Sequence, residues 1–163
     1  MKILIHDLRD PLPNSNKNIF DLEIFAHGKY APCQGCFECW TKTPASCKLK
    51  DSLYEVCRVI GQADDLYIIS ENYYGCYSPS IKNILDRSIG TSTPLSTYRN
   101  REMHHTLRYG KSHNLSVYIY GDITDKERES WQLLIERNAI NYGFKSHKIS
   151  FITDLKELKE ITD

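Results

Sequence analysis

Residues 63–87 read Ala-Asp-Asp-Leu-Tyr-Ile-Ile-Ser, then Glu-Asn-Tyr-Tyr-Gly-Cys-Tyr, then Ser-Pro-Ser-Ile-Lys-Asn-Ile-Leu-Asp-Arg. The three parts are a buried strand, a loop and a helix. Leu66 to Ile69 is a short apolar run between polar residues, the pattern of a strand covered on both faces. Ser78 followed by Pro79 starts a helix sharply: the serine oxygen accepts an orphan backbone N–H, and proline has no donor to waste at the first position. Ile81, Ile84 and Leu85 then share one helical face, with Lys82 and Asp86 four apart on another. The loop Glu71 to Tyr77 therefore lies at the carboxyl end of a strand, where open α/β sheets bind ligands. Tyr73, Tyr74 and Tyr77 around Gly75 make it suited to a flat aromatic ligand.

Working outward, Met1 to Leu8 reads as the first strand and Ile19 to Phe25 as the second. Between them, Arg9-Asp-Pro-Leu-Pro-Asn-Ser-Asn16 is broken by prolines and carries no glycine. A parallel crossover takes about a dozen residues or more, and only about ten are available, so the first crossover helix is expected to be missing or very short. Ser15 and Asn16 read as turn residues, with donor groups an anion could use. Gly28 to Leu49 is a loop bearing four cysteines. Ser52-x-x-Glu55 has the form of a capping box opening a helix with Leu53, Val56, Cys57 and Ile60 inward.

After the central helix, residues 91–112 show no clean periodicity and read as a long loop, a lid or an oligomer contact. Leu115 to Tyr120 is the fourth strand. Thr124-x-x-Glu127 caps the longest helix, with Trp131, Leu134, Ile135, Ala139 and Tyr142 inward and Gly143 as its stop. His147 to Ile152 is the fifth strand, and Asp154-x-x-Glu157 opens a short last helix. Strands alternating with helices imply one α/β domain over residues 1–163, with a five-stranded parallel sheet between helical layers.

The chain holds 21 basic and 21 acidic residues, which gives no electrostatic footprint for nucleic acid or an anionic membrane. No apolar run approaches the roughly 20 residues of a membrane span. The N-terminal Lys2-Ile-Leu-Ile5 is too short for a signal-peptide core, so a cytoplasmic setting is expected. Six cysteines without an export signal point to reduced thiols or metal ligands rather than disulfides.

The central segment resembles the flavodoxin-like NADPH-dependent FMN reductases and iron–sulfur flavoproteins, whose pattern is Ser-Pro-x-Tyr-x-Gly followed by Ser, Lys, Asp and Arg. Ser70, Tyr73, Gly75, Ser78, Lys82, Asp86 and Arg87 match it, and Glu71 stands where the family usually has proline. Cys33-Gln-Gly-Cys36-Phe-Glu-Cys39-Trp with Cys47 resembles the cysteine loop of the same group. The resemblance implies a flavodoxin-like sheet of order 2-1-3-4-5 and FMN held by Ser70, Glu71, Asn72, Tyr73, Tyr74, Gly75, Tyr120 and Gly121. It also implies a homo-oligomer, a dimer or tetramer, and a NAD(P)H-dependent oxidoreductase whose partners are a small-molecule electron donor and acceptor.

A flavin would take hydride from a nicotinamide and pass electrons on. No G-x-G-x-x-G occurs, so the nicotinamide would stack directly on the flavin ring. Arg99, Arg101, His104, His105 and Arg108 read first as ordinary charges on a solvated loop tip, and are otherwise candidates to replace the phosphate cradle that the short crossover leaves out. The rival reading is a flavodoxin fold without flavin, acting as an interaction or regulatory module. The spacing Cys33-x2-Cys36-x2-Cys39-x7-Cys47 fits four thiolates around a 4Fe-4S cluster, or around zinc, or small buried thiols with no metal. Cys57 falls on a core face; Cys76, in the loop, is the better placed of the two for reactivity.

Overall fold

β-branched and aromatic residues build five short parallel strands: β1 (Lys2–His6), β2 (Leu22–Phe25), β3 (Asp65–Glu71), β6 (Asn114–Tyr120) and β7 (Ser146–Phe151). The computed structural model describes residues 1–9, 19–99, 101–110, 113–153 and 157–158. The sheet order is β2-β1-β3-β6-β7, the expected 2-1-3-4-5 once the two intervening strands described below are set aside. β3 sits at the centre, with Ile68 level with Ile5 on one side and Val117 on the other. The first crossover (residues 10–18), with Ser15 and Asn16, lies outside the described residues, as does most of the stretch expected to form the last helix.

Three helices, α1 (Val56–Gly61), α2 (Pro79–Arg87) and α3 (Asp125–Tyr142), all press on one sheet face. There Ile3, Ile5, Leu66, Ile68 and Val117 meet Ile60, Ile81, Ile84, Trp131 and Ile135. Each such side chain contributes about 1.5–3 kcal/mol by leaving water, so this layer fixes α2 and α3, and with them the loops at the strand ends. The opposite face carries a thinner cluster of Leu4, Ile69, Tyr118, Ile152 and Leu158, with Phe20 edge-on to Tyr67 at 5.1 Å.

The caps behave as their chemistry dictates at two of three helices. Ser78 Oγ accepts from the Ile81 N–H, and Thr124 and Glu127 form the reciprocal capping box of α3. Gly143 ends α3 at φ 80°, a left-handed position. The Ser52-x-x-Glu55 box is corrected: α1 begins only at Val56, without a side-chain cap. Glu55 instead accepts from Ser46 Oγ at 3.3 Å and pairs with Arg58, while Asp51 Oδ1 takes the Leu53 N–H.

Residues 91–112 are corrected as well. Their described residues include an antiparallel pair, β4 (Ser92–Arg99) and β5 (Glu102–Leu107), pairing from Ser92 with Leu107 to Arg99 with Glu102. Among the described residues no helix is long and apolar enough to cross a membrane.

Candidate active site

Three parallel strands end side by side, so the residues just past them are brought together by the sheet alone. Asp7 follows β1, Glu71 closes β3, and Tyr120 closes β6 level with Glu71. The Asp7 carboxylate ties them: both its oxygens lie 3.2 Å from the Glu71 N–H, and Oδ1 accepts from the Tyr120 hydroxyl at 3.0 Å. Burial, then the Asp7 charge, pushes the Tyr120 phenol well above its ordinary range, so it stays a donor. Asp7 was not among the residues singled out from sequence; its place directly after a strand at the ligand-binding edge was the available signal.

The loop after β3 is held by Asn72. Its side-chain N–H donates to the Asp122 carbonyl at 2.7 Å, and its oxygen accepts from Trp131 Nε1 at 2.8 Å and from the Gly75 N–H at 3.1 Å. Tyr73 and Cys76 then exchange two backbone hydrogen bonds, at 2.9 and 3.1 Å. The two residues between them, Tyr74 and Gly75, both have positive φ, 53° and 76°, as a primed two-residue turn requires. A Cβ on Gly75 would stand 3.3 Å from the Glu127 Cα, so the turn also needs glycine to lie against α3.

The result is two uncovered rings. Tyr73 and Tyr74 are 52% and 86% exposed and sit edge-to-face at 5.1 Å. Tyr73 borders a cleft of about 510 Å³ that also meets Asp7, Ala26, Gly28, Glu71 and Ser80. Tyr77 does not join them. It is buried, edge-on to Trp131 at 4.9 Å, with its hydroxyl taking the Asn138 amide at 3.2 Å. Ser70 is fully buried and spends its hydroxyl inside the loop, donating to the Glu71 carbonyl at 2.9 Å and accepting the Ser78 N–H at 3.0 Å. Gly121 (φ 95°) backs onto Glu71 and Asn72.

The cleft can seat a flat ring against Tyr73, and the start of α2 opens into it with the Ser78 and Ser80 hydroxyls 3.1 Å apart. A helix start favours anions; the Asp7 and Glu71 carboxylates oppose them. Among the described residues the lining has no lysine or arginine. The candidate substitute cradle is not brought to the cleft: Arg99 donates to the His105 and Asn141 carbonyls, and Arg108 to those of Gly90 and Ser92. These bonds hold the hairpin to the body, away from the cleft. His6, buried at the end of β1, points its Nε2 at Glu23 Oε1, 2.9 Å away.

The cysteine loop gathers on the other side of α2. Cys33, Cys36, Cys39 and Cys47 all line one small cavity of about 60 Å³, with Arg87 in its wall. Cys33 and Cys36 are exposed, Cys47 half-buried and Cys39 buried. Among the described residues, no three His, Cys, Asp or Glu side chains are drawn together as a metal site would need. The four thiols therefore match a cluster in donor type and share a cavity, and they stand more open than a loaded site. Cys57, fully buried, donates to the Arg87 carbonyl at 3.1 Å. The neighbouring Cys57 side chain, working against burial, lowers the Cys39 thiol from its ordinary range, and the same contact with burial pushes Cys57 up.

Comparisons with known proteins follow the same lines. No family model matches the chain. An iron–sulfur flavoprotein from Archaeoglobus fulgidus is 27% identical over 92 residues, 47% of this chain and 44% of that protein. The match thus spans less than half the length of that relative. An NAD(P)H:quinone oxidoreductase from Methanothermobacter marburgensis superposes with TM-score 0.56 at 14% identity, covering 98% of this chain and 93% of the other. An FMN-dependent NADH-azoreductase from Bacillus anthracis, solved with FMN, gives 0.57 at 12%, covering 99% and 93%. A Streptococcus mutans UA159 protein gives 0.61 at 12%, covering 99% and 98%. The protein has a flavodoxin-like α/β fold, and its structural neighbours include an NAD(P)H:quinone oxidoreductase and an FMN-dependent NADH-azoreductase.

Proposed function

We propose that this chain is an FMN-dependent NAD(P)H oxidoreductase acting between a small-molecule donor and acceptor. The observation that carries the reading is the primed turn Tyr73–Cys76, which holds bare aromatic rings beside a cleft at the carboxyl ends of β1 and β3. FMN, when bound, supplies the hydride and electron chemistry. Tyr73 offers the ring a stacking face. Asn72, fixed through Asp122 and Trp131, sets the loop height, and the backbone around Gly75 is the part left to meet a flavin edge. Asp7 keeps the Tyr120 hydroxyl in place and protonated. The helix start at Ser78 and Ser80 is the described part of the cleft that favours a phosphate.

The test is absorbance of the purified protein after incubation with excess FMN and desalting, in wild type, Tyr73→Ala and Gly75→Trp. Retained flavin bands in wild type and loss in both variants support the reading. A wild type that never retains FMN leaves the rival reading, a module that kept the sheet without the cofactor. Assembly of copies is supported by the hairpin, where Leu95, Tyr98 and Met103 are 69%, 75% and 67% exposed; sedimentation velocity measures it. A cytoplasmic location completes the proposal and is checked by fractionation.

A second reading is favoured by one observation, the four cysteines around a single cavity. Cys33, Cys36, Cys39 and Cys47 would hold a 4Fe-4S cluster, with Arg87 and Lys48 offsetting its negative charge. Iron and sulfide content after anaerobic reconstitution decides it: about four of each per chain, lost in Cys36→Ser, supports the cluster, and zinc alone or no metal removes it.

A further inference from the structure

A second cavity lies apart from the cleft at the strand ends. It holds about 570 Å³ between the cysteine loop, α2, the hairpin and α3. That is within the range of pockets that bury small organic ligands. It shares no lining residue with the cleft, and it meets the cysteine cavity through Phe37 and Ile89.

One wall is a run of rings. Phe37 and Trp40 lie 4.9 Å apart between centroids, and Trp40 and His105 lie 4.5 Å apart, tilted by 37° and 47°. Trp40 is pinned by a hydrogen bond from Nε1 to the Ile89 carbonyl at 2.9 Å, so this wall is ordered before any ligand arrives. α3 contributes Leu134 and, further along the helix, the amides of Asn138 and Asn141. Lys82 and Asp86 pair with each other at the rim and cancel in charge. His105 carries a buried Nδ1 that has no hydrogen-bond partner. Aromatic faces, amides and a neutral rim select against phosphates and carboxylates and for a flat uncharged ring system carrying a hydrogen-bonding group.

We propose that this cavity is a second small-molecule site, built for a neutral planar aromatic of two or three fused rings that stacks on Trp40 and hydrogen-bonds to the Asn138, Asn141 and His105 side. Its occupant sits beside the cysteine cavity, against Phe37, and is independent of whatever fills the cleft. A concave pocket lined by four separate elements, rather than a flat apolar face, favours a small ligand over a second copy of the chain.

The probe is 2-naphthol, neutral at pH 7 and fluorescent, titrated against protein freed of flavin and followed by anisotropy. Its anionic analogue 2-naphthoate is titrated in parallel. Saturable one-to-one binding of 2-naphthol is expected, with the anion weaker by roughly tenfold or more. Asn141→Trp, a substitution on the exposed face of α3 that fills the cavity, should abolish it. Trp40→Ala should weaken it roughly tenfold, the size of one aromatic contact, and Trp40→Phe should largely restore it. Absence of saturable binding, equal affinity for the anion, or binding untouched by Asn141→Trp overturns the proposal. So does loss of self-association in Asn141→Trp by sedimentation, which would make the cavity an interface between copies.

Discussion

Arg87, with a wholly buried side chain, reaches the Asp51 carboxylate at 2.5 Å. The same guanidinium donates to the carbonyls of Ala31 at 3.1 Å and Leu49 at 3.4 Å. One side chain from the end of α2 therefore clamps both ends of the cysteine loop. Burial works to raise the Asp51 carboxyl; the Arg87 guanidinium and the N–H groups of Leu53 and Ala31 overcome it and hold it below the usual range. A depressed carboxylate contributes stability that is present above its unfolded value, about 3.9, and is lost as pH falls through the lower folded value. Asp51→Asn leaves a buried cation unpaired and should cost roughly 3 kcal/mol at pH 7. Urea unfolding from pH 7 to 2.5 should show the wild type converging on the variant in acid; a constant gap would mean the pair contributes nothing to the pH dependence.

Asn72 joins the cofactor loop to the core through Trp131. Asn72→Ala strands the buried Trp131 N–H and frees the Gly75 N–H, a loss of about 1–3 kcal/mol. Because the turn at Tyr73–Cys76 hangs on those bonds, FMN retention should fall along with melting temperature. A variant that melts early and still binds FMN as wild type does would show that the turn is held by α3 alone.

The tyrosines separate by role. Tyr77→Phe removes one hydroxyl bond to Asn138 and should cost about 1 kcal/mol while leaving FMN binding unchanged. Tyr73→Ala touches no core contact and should leave melting nearly unchanged while weakening FMN. Calorimetry on both variants checks the pair of outcomes, and the opposite pairing would place the ligand against the Tyr77 side.

How far the sequence carried this picture follows from what each element buries. β3 and α2 were legible because both are bounded by strong signals, an apolar run and a Ser-Pro start, and both face the core. α3 was legible through its capping box and Gly143. The hairpin was not, because Ser92–Arg99 and Glu102–Leu107 are mostly half-exposed or exposed and leave no alternation of apolar and polar residues to read. Tyr77 was misplaced for a related reason: its neighbours Tyr73 and Tyr74 are of the same type, and only the primed turn decides which rings face out. Ser52 and Glu55 had capping spacing, yet Asp51 and Ser46 claimed the local bonds first. The Arg87–Asp51 contact, 36 residues apart, has no local signal at all.

Gly90 marks how tightly the cysteine loop is docked. An added Cβ would stand 2.8 Å from Cys57 Sγ, 3.0 Å from Cys39 Cβ and 3.2 Å from the Cys39 carbonyl. Gly90→Ala should therefore destabilise by about 1–3 kcal/mol through overpacking and expose Cys39 to thiol reagents. Mass-resolved alkylation by iodoacetamide reads this directly; unchanged labelling at Cys39 would show that the loop moves without opening.

Gly143 does two jobs at once, and they can be separated. Its φ of 80° penalises any side chain, and a Cβ there would lie 2.2 Å from Leu107 Cδ1 at the end of the hairpin. Gly143→Ala carries both penalties, about 1 kcal/mol for the left-handed backbone and more for the clash. Adding Leu107→Ala relieves the clash and leaves the backbone strain. The double variant should then recover part of the loss relative to the sum of the two single variants, a coupling of about 1 kcal/mol or more between residues in contact. Strict additivity in urea unfolding would mean that Leu107 does not pack over Gly143, and that the hairpin is not seated on the C-terminal end of α3.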